Sequence, residues 1–210
     1  CCTSDGLRIV YTVRGVGVFF ATWNSTTSSY STPTSFSSIT TTASPSMTPD
    51  GRIVVFAAGN TGSPTDVVKY SFWTGSAYTT PSSVSGCTAN NYFGTDITHD
   101  GSRIAYCAIS GTVYTGYWNG SQYVQNTATF TIANSWQVRF SPDGNILFVL
   151  LGNATDNLYY SIFTGSTYGT LTSSGKTFTI ATVGFGITVG YDNSVYAGGF
   201  TATASQNIQS

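Results

Sequence analysis

The chain has 210 residues, 40% hydrophobic and 15% aromatic, enough to bury a sizeable core as one folded domain. Only 7% are charged, all eight acids are Asp, and a formal net charge of -1 excludes the basic footprint of a nucleic-acid binder and the polybasic patch of an anionic-lipid binder. The longest strongly apolar run, Ile146 to Leu151, is far too short to span a bilayer, so no membrane span is expected.

The chain opens on Cys1-Cys2-Thr3 without the basic and apolar regions of a signal peptide, which leads us to expect a processed or excised start. A first unit follows, with the turn Thr3-Ser4-Asp5-Gly6, the apolar strand Leu7 to Val13, and Trp23-Asn24-Ser25 further on. The second unit repeats this order as Thr48-Pro49-Asp50-Gly51, Arg52 to Phe56, and Trp73-Thr74-Gly75-Ser76-Ala77-Tyr78. The third reads Thr98-His99-Asp100-Gly101, Ser102 to Tyr106, and Trp118-Asn119-Gly120-Ser121-Gln122-Tyr123. The fourth has Ser141-Pro142-Asp143-Gly144, Asn145 to Leu150, and Phe163-Thr164-Gly165-Ser166-Thr167-Tyr168; a decayed fifth has Gly190-Tyr191-Asp192-Asn193 and Val195 to Phe200.

The repeated Asp residues are separated by 45, 50, 43 and 49 residues, the size of one four-stranded propeller blade. The strand after each Asp-Gly turn is almost continuously apolar and is expected to be buried on both faces. The aromatic, turn, Gly, aromatic signature predicts a hairpin whose rings pack across the strands. A Ser/Thr-rich outer strand completes each unit, no segment has helical periodicity, and no linker divides residues 1–210, which are expected to form one domain.

With both signatures in place, the Ser/Thr-Pro-Asp-Gly turn and its apolar strand resemble the TolB-type, WD-like propeller repeats over nearly the whole chain. The resemblance implies an all-β propeller of four-stranded antiparallel blades and does not imply a function, since such folds serve as docking platforms, lectins, enzyme domains and scaffolds. The aromatic hairpin is also similar to kelch and tachylectin-like blades, but no sugar-binding or partner-binding motif of those families is present to carry over.

Counting back three residues from each turn Asp gives an apolar column, Cys2, Met47, Ile97, Phe140 and Val189, on a first strand. The fifth unit supplies a first strand over 185–191 and a second over 195–200, with only 201–210 beyond. Five blades with the last incomplete is therefore the expected architecture; the alternative is four blades closed by the C-terminal strand. An incomplete blade leaves an edge that another chain can fill.

The Asp-Gly pairs read as structural turns, the carboxylate accepting from backbone N–H groups one or two residues on and the Gly supplying positive φ. His99 takes a turn slot with no nucleophile beside it, and Asp66 and Asp156 read as loop caps. Counting back four gives a polar ring, Cys1, Ser46, Asp96, Arg139 and Thr188, in which Asp96 and Arg139 are expected to form an ion pair near the central channel; a polar ligand-binding mouth is the alternative. One His and no Cys-x-x-Cys pair argue against zinc, and no cofactor is expected. Cys87 and Cys107 flank one strand and are candidates for a disulfide, while Cys1 and Cys2 are candidates for pairing within the chain or with another subunit. Asn24, Asn119 and Asn153 head Asn-x-Ser/Thr sequons and are candidates for glycosylation. Trp23, Trp73 and Trp118 recur at one blade position, which favours packing over sugar recognition; Trp136 lies elsewhere.

Absence of a catalytic constellation, near-zero charge, hydroxyl-rich faces and sequons lead to the expectation of a non-enzymatic, extracellular or surface-exposed structural or adhesive module. Its expected partners are copies of itself, other surface proteins or glycans. The alternatives are a carbohydrate-binding, lectin-like propeller and a fragment of a larger docking propeller.

Overall fold

A computed structural model of the chain describes residues 1–13, 16–36, 44–58, 67–90, 92–108, 110–152, 158–176, 183–190, 192–200 and 206–209. The protein is all-β, with no helix among the described residues, and its strands form sheets that follow one another along the chain. The first sheet holds β1 (Arg8–Val13), β2 (Gly17–Asn24), β3 (Ser29–Tyr30) and β4 (Thr34–Ser35), and the second holds β5 (Ser46–Met47), β6 (Ile53–Ala58), β7 (Val67–Phe72) and β8 (Ser82–Ser83). The third comprises β9 (Tyr92–Ile97), β10 (Arg103–Ala108), β11 (Thr112–Trp118) and β12 (Tyr123–Thr131), and the fourth β13 (Ser135–Phe140), β14 (Ile146–Leu151), β15 (Leu158–Ile162) and β16 (Thr172–Ser173). A fifth, three-stranded sheet holds β17 (Val183–Val189), β18 (Val195–Phe200) and β19 (Gln206–Gln209), the last lying in the tail that the sequence pattern left without a strand. All pairings within the sheets are antiparallel.

The core lies between successive sheets because the second strand of each unit has two apolar faces. On β6, Ile53, Val55 and Ala57 pack toward the third sheet, while Val54, Phe56 and Ala58 pack toward the first. Ile104, Tyr106 and Ala108 of β10 face the second sheet, and Ala105 and Cys107 face the fourth. On β14, Leu147, Val149 and Leu151 face the third sheet, and Phe148 and Leu150 face Ile187 of the fifth. This alternation is the period-2 geometry of a strand sandwiched between two neighbours, and it explains why these runs lack polar residues.

Isolated parallel bridges join the second and third sheets at both ends of the strand order: Ser44 with Gly94 on the inner side and Ser85 with Val124 on the outer. Gly94 marks the close approach of the third and fourth sheets; a Cβ there would meet Gln137 Cα at 2.8 Å and the Trp136 carbonyl oxygen at 2.9 Å. In the first sheet, Cys2 bridges to Ile9, and the backbone bonds Thr3 N to Arg8 O and Val10 N to Cys1 O, both 2.9 Å, occupy the inner edge of β1 along Arg8 to Val10.

Candidate functional site

The five turn aspartates are built into one hydrogen-bond pattern. Each Oδ1 accepts from the backbone N–H two residues on: Leu7, Arg52 and Ser102 at 2.9 Å, Asn145 and Ser194 at 3.0 Å. In the first four units the hydroxyl two residues back donates to the same oxygen, from Thr3, Thr48 and Thr98 at 2.6 Å and from Ser141 at 2.5 Å. That hydroxyl oxygen in turn accepts the N–H of Arg8, Ile53, Arg103 or Ile146 at 2.9–3.1 Å, closing the turn. The following glycines have φ of 64–74°, and Asn193 supplies 64° in the fifth unit, where Gly190 brings no hydroxyl.

These bonds hold all five carboxyls below the usual carboxylate range. At Asp5, Asp143 and Asp192 the hydroxyls of Thr3, Ser141 and Ser194 are the chief cause; at Asp50 and Asp100 burial pushes upward and is outweighed by Thr48 or Thr98 together with the backbone N–H. The turn carboxylates are thus occupied in their own turns.

A second element went unread in the sequence: the hairpin tyrosine hydroxyl donates to the carbonyl of the turn glycine. Tyr30 reaches Gly6 at 2.7 Å, Tyr78 reaches Gly51 at 2.8 Å and Tyr168 reaches Gly144 at 2.5 Å, and Tyr123 bonds Gly101 in the same way. The two repeated signatures are therefore halves of one clasp. The expected ring packing is present beside it, with Trp23–Tyr30, Trp73–Tyr78, Trp118–Tyr123 and Phe163–Tyr168 centroids 5.1–5.2 Å apart. Trp136 stacks instead on Phe93, at 5.0 Å.

The residue three beyond the turn Asp reaches the next sheet. Arg8 donates to the Gly51 carbonyl at 3.4 Å and to that of Asp50, with its guanidinium 4.6 Å from the Trp73 ring centroid. Arg103 stacks likewise over Phe163 at 3.9 Å. Arg at this spacing in the first and third units was the available signal.

Asp96 and Arg139 come together between the third and fourth sheets. Arg139 Nη1 lies 3.9 Å from Asp96 Oδ1 and donates to the Thr95 and Val138 carbonyls at 3.0 and 2.9 Å. Asp96 Oδ2 accepts the Phe140 N–H at 2.7 Å, so this carboxylate ties the two sheets through backbone. Burial raises the Asp96 carboxyl above its ordinary range, against the pull of Arg139 and of the Phe140 and Ile97 N–H groups. Both side chains line a cavity of about 460 Å³ with Cys1, Ser46, Tyr11 and Thr12; Thr188, the fifth member of the polar column, is exposed and not part of that wall.

All four cysteines are free thiols. The expected Cys87–Cys107 bridge is not formed, because the residues pack on opposite faces of β10: Cys87 against the core between the second and third sheets, Cys107 within that between the third and fourth. Cys87 Sγ sits 3.5 Å from the Tyr92 hydroxyl, and burial pushes the Cys107 thiol up to about 12. Cys1 and Cys2 are exposed. Asn24 and Asn119 are exposed, their Oδ1 atoms accepting Thr26 N at 2.9 Å and Gln122 N at 2.9 Å; Asn153 lies outside the described residues, as do Asp66 and Asp156. His99 is exposed in its turn. Among the described residues no group of three or more metal-ligating side chains occurs, and no helix is long and apolar enough to cross a membrane.

Fold and turns define an all-β repeat protein whose described residues form four four-stranded antiparallel sheets and a three-stranded fifth in propeller-like order. No protein-family model and no curated protein matches the sequence. Among solved structures, the chain is similar to a functionally unknown protein from Desulfotomaculum acetoxidans DSM 771, with a TM-score of 0.68 and 17% identity over 100% of this chain and 68% of that one. It is also similar to a candidate 6-phosphogluconolactonase from Bacteroides uniformis ATCC 8492, with a TM-score of 0.62 and 14% identity over 99% of this chain and 64% of that one. At these identities the likeness is one of fold.

Proposed function

We propose that the chain is a non-enzymatic β-propeller module of the TolB-type, WD-like kind, one domain of five blades with the fifth incomplete, serving a structural or adhesive role outside the cell. The observation that carries this reading is the use of the repeated polar residues: turn carboxylates, hydroxyls and hairpin tyrosines are consumed in holding the first four repeats together, while the outer strands of the first, second and fourth sheets present Ser and Thr. Five blades are favoured over four because Cys1 to Thr3 occupy the edge of β1 along Arg8 to Val10, where β17 would have to pair to complete the first blade. The three-stranded fifth sheet supplies the edge through which copies associate.

Glycans on Asn24 and Asn119 belong to the same reading, since both occupy exposed hairpin turns. Native mass measurement across concentration is the test of assembly: the reading requires oligomers at micromolar protein, and a strict monomer contradicts it. Intact mass before and after deglycosylation tests the sequons.

A further inference from the structure

The outer strands of the sheets differ in length. β4, β8 and β16 have two residues each, whereas β12 runs for nine, Tyr123–Thr131. A two-residue edge offers little backbone for another chain to pair with, which is one way a sheet guards its rim. β12 lacks that guard, and from 123 to 131 it carries neither a charge nor a proline, the other usual guards.

The bonds at its two ends fix where its backbone groups point. Ser85, just past β8, donates to the Tyr123 carbonyl at 2.8 Å and accepts the Gln125 N–H at 2.9 Å, a parallel addition to the outer edge. At the other end the Ile132 N–H donates inward to the Gly111 carbonyl at 2.6 Å. Alternate residues of a strand turn their N–H and C=O to opposite sides, so Thr129 and Thr131 face outward, as Tyr123 and Gln125 do. Residues 126–128 oppose Thr115 alone, and the two extra residues keep that parity. Among the described residues nothing pairs with the outward groups of Thr129 and Thr131, and 127–129 and 131 are exposed. Beside them lies a groove of about 640 Å³, walled by Thr129, Phe130 and Ile132 on one side and by Tyr159, Tyr168 and Leu171 on the other. The edge is thus already extended at one end and open, with room beside it, at the other.

The occupant that fits is a strand edge with the same lack. The fifth sheet ends at β19, where the other four sheets have a fourth strand, and among the described residues β19 pairs with β18 on one side only. Gln206–Gln209 is likewise free of charge and proline, and its four residues match the open stretch of β12 in length. We propose that β19 of one copy pairs, backbone to backbone, with the outer edge of β12 of a second copy along 127–131. The inference rests on the reading that copies associate through the fifth sheet, and it names the surface that receives that sheet. Each copy then gives an edge at one surface and takes one at another, a heterologous contact, whereas two β19 edges meeting each other would make an isologous one.

The test mixes two variants and reads native mass and hydrogen exchange. Thr129→Pro removes an outward N–H without touching the ladder to β11, and deletion of 206–209 removes the donated strand. Each variant alone needs at least about tenfold more protein than the unaltered chain to associate. Mixed, they form a one-to-one complex, because one keeps the giving edge and the other the receiving edge. In the unaltered oligomer the amides of 127–131 exchange more slowly than in the monomer. Association of Thr129→Pro at the unaltered chain's concentration, or no complex from the mixture, overturns the proposal and leaves assembly through the fifth sheet standing. An unaltered chain that stays monomeric removes both. Thr131→Lys, which puts a charge on the exposed edge, serves where the proline variant does not fold.

Discussion

At the scale of single residues, the most informative atoms are the tyrosine hydroxyls that join one signature of the repeat to the other. Tyr78→Phe keeps the ring among Trp73, Phe20 and Phe36 and deletes only the bond to the Gly51 carbonyl. We expect a loss of about 1 kcal/mol, or a melting temperature lower by about 2–4 °C, checked by urea and thermal denaturation. The turn carboxyls give a pH dependence of definite sign. Their folded values lie below the ordinary one, so the stability they contribute is fully present above the usual carboxylate range and is lost as pH falls through the depressed values. Asp96 acts in the opposite sense, its raised value favouring the folded state as pH falls. With five carboxyls against one, melting temperature should fall on acidification below about pH 4, and Asp143→Asn should flatten that fall. The turn role of Asp5, Asp50, Asp100 and Asp143 was readable from Asp-Gly spacing alone, because the geometry is local, and Asp192 followed from the repeat. The tyrosine clasp was not, because it joins residues 22–27 positions apart and nothing in a hairpin pattern shows where a hydroxyl ends.

At the scale of strands and sheets, the fold was legible wherever one period governs one strand. The apolar runs after each turn show their two-faced burial directly, and β6, β10 and β14 divide their side chains between neighbouring sheets as that pattern requires. The same alternation defeats the Cys87–Cys107 pairing, since sequence proximity to one strand does not say which face a loop cysteine covers. Contacts between sheets were less visible. Gly94 has no turn to explain it, yet its missing side chain lets β9 approach β13. Gly94→Ala should cost about 1–3 kcal/mol in equilibrium unfolding, because the obstructing atoms are backbone and do not move aside. Gly169→Ala, whose added Cβ meets nothing nearer than 3.6 Å, is the matched control and should be near neutral. Asp96→Ala should cost about 1–3 kcal/mol by leaving the Phe140 N–H without its acceptor, more than an exposed substitution such as Ser76→Ala.

At the scale of the whole molecule, the sheets follow one another with a core between each neighbouring pair from first to fifth, and the polar column from Ser46 through Asp96 to Arg139 faces a common cavity. The proposed ring, its incomplete fifth blade and the association of copies all rest on how the fifth sheet meets the first. A density map of the native particle at a resolution that separates blades tests this most directly. Five sheets around one axis, with Cys1 to Thr3 innermost in the first, Val183–Val189 innermost in the fifth and Asp96 and Arg139 on the wall of the central mouth, is the predicted result. Four sheets, with Val183–Val189 paired onto β1 in place of Cys1 to Thr3, would contradict it.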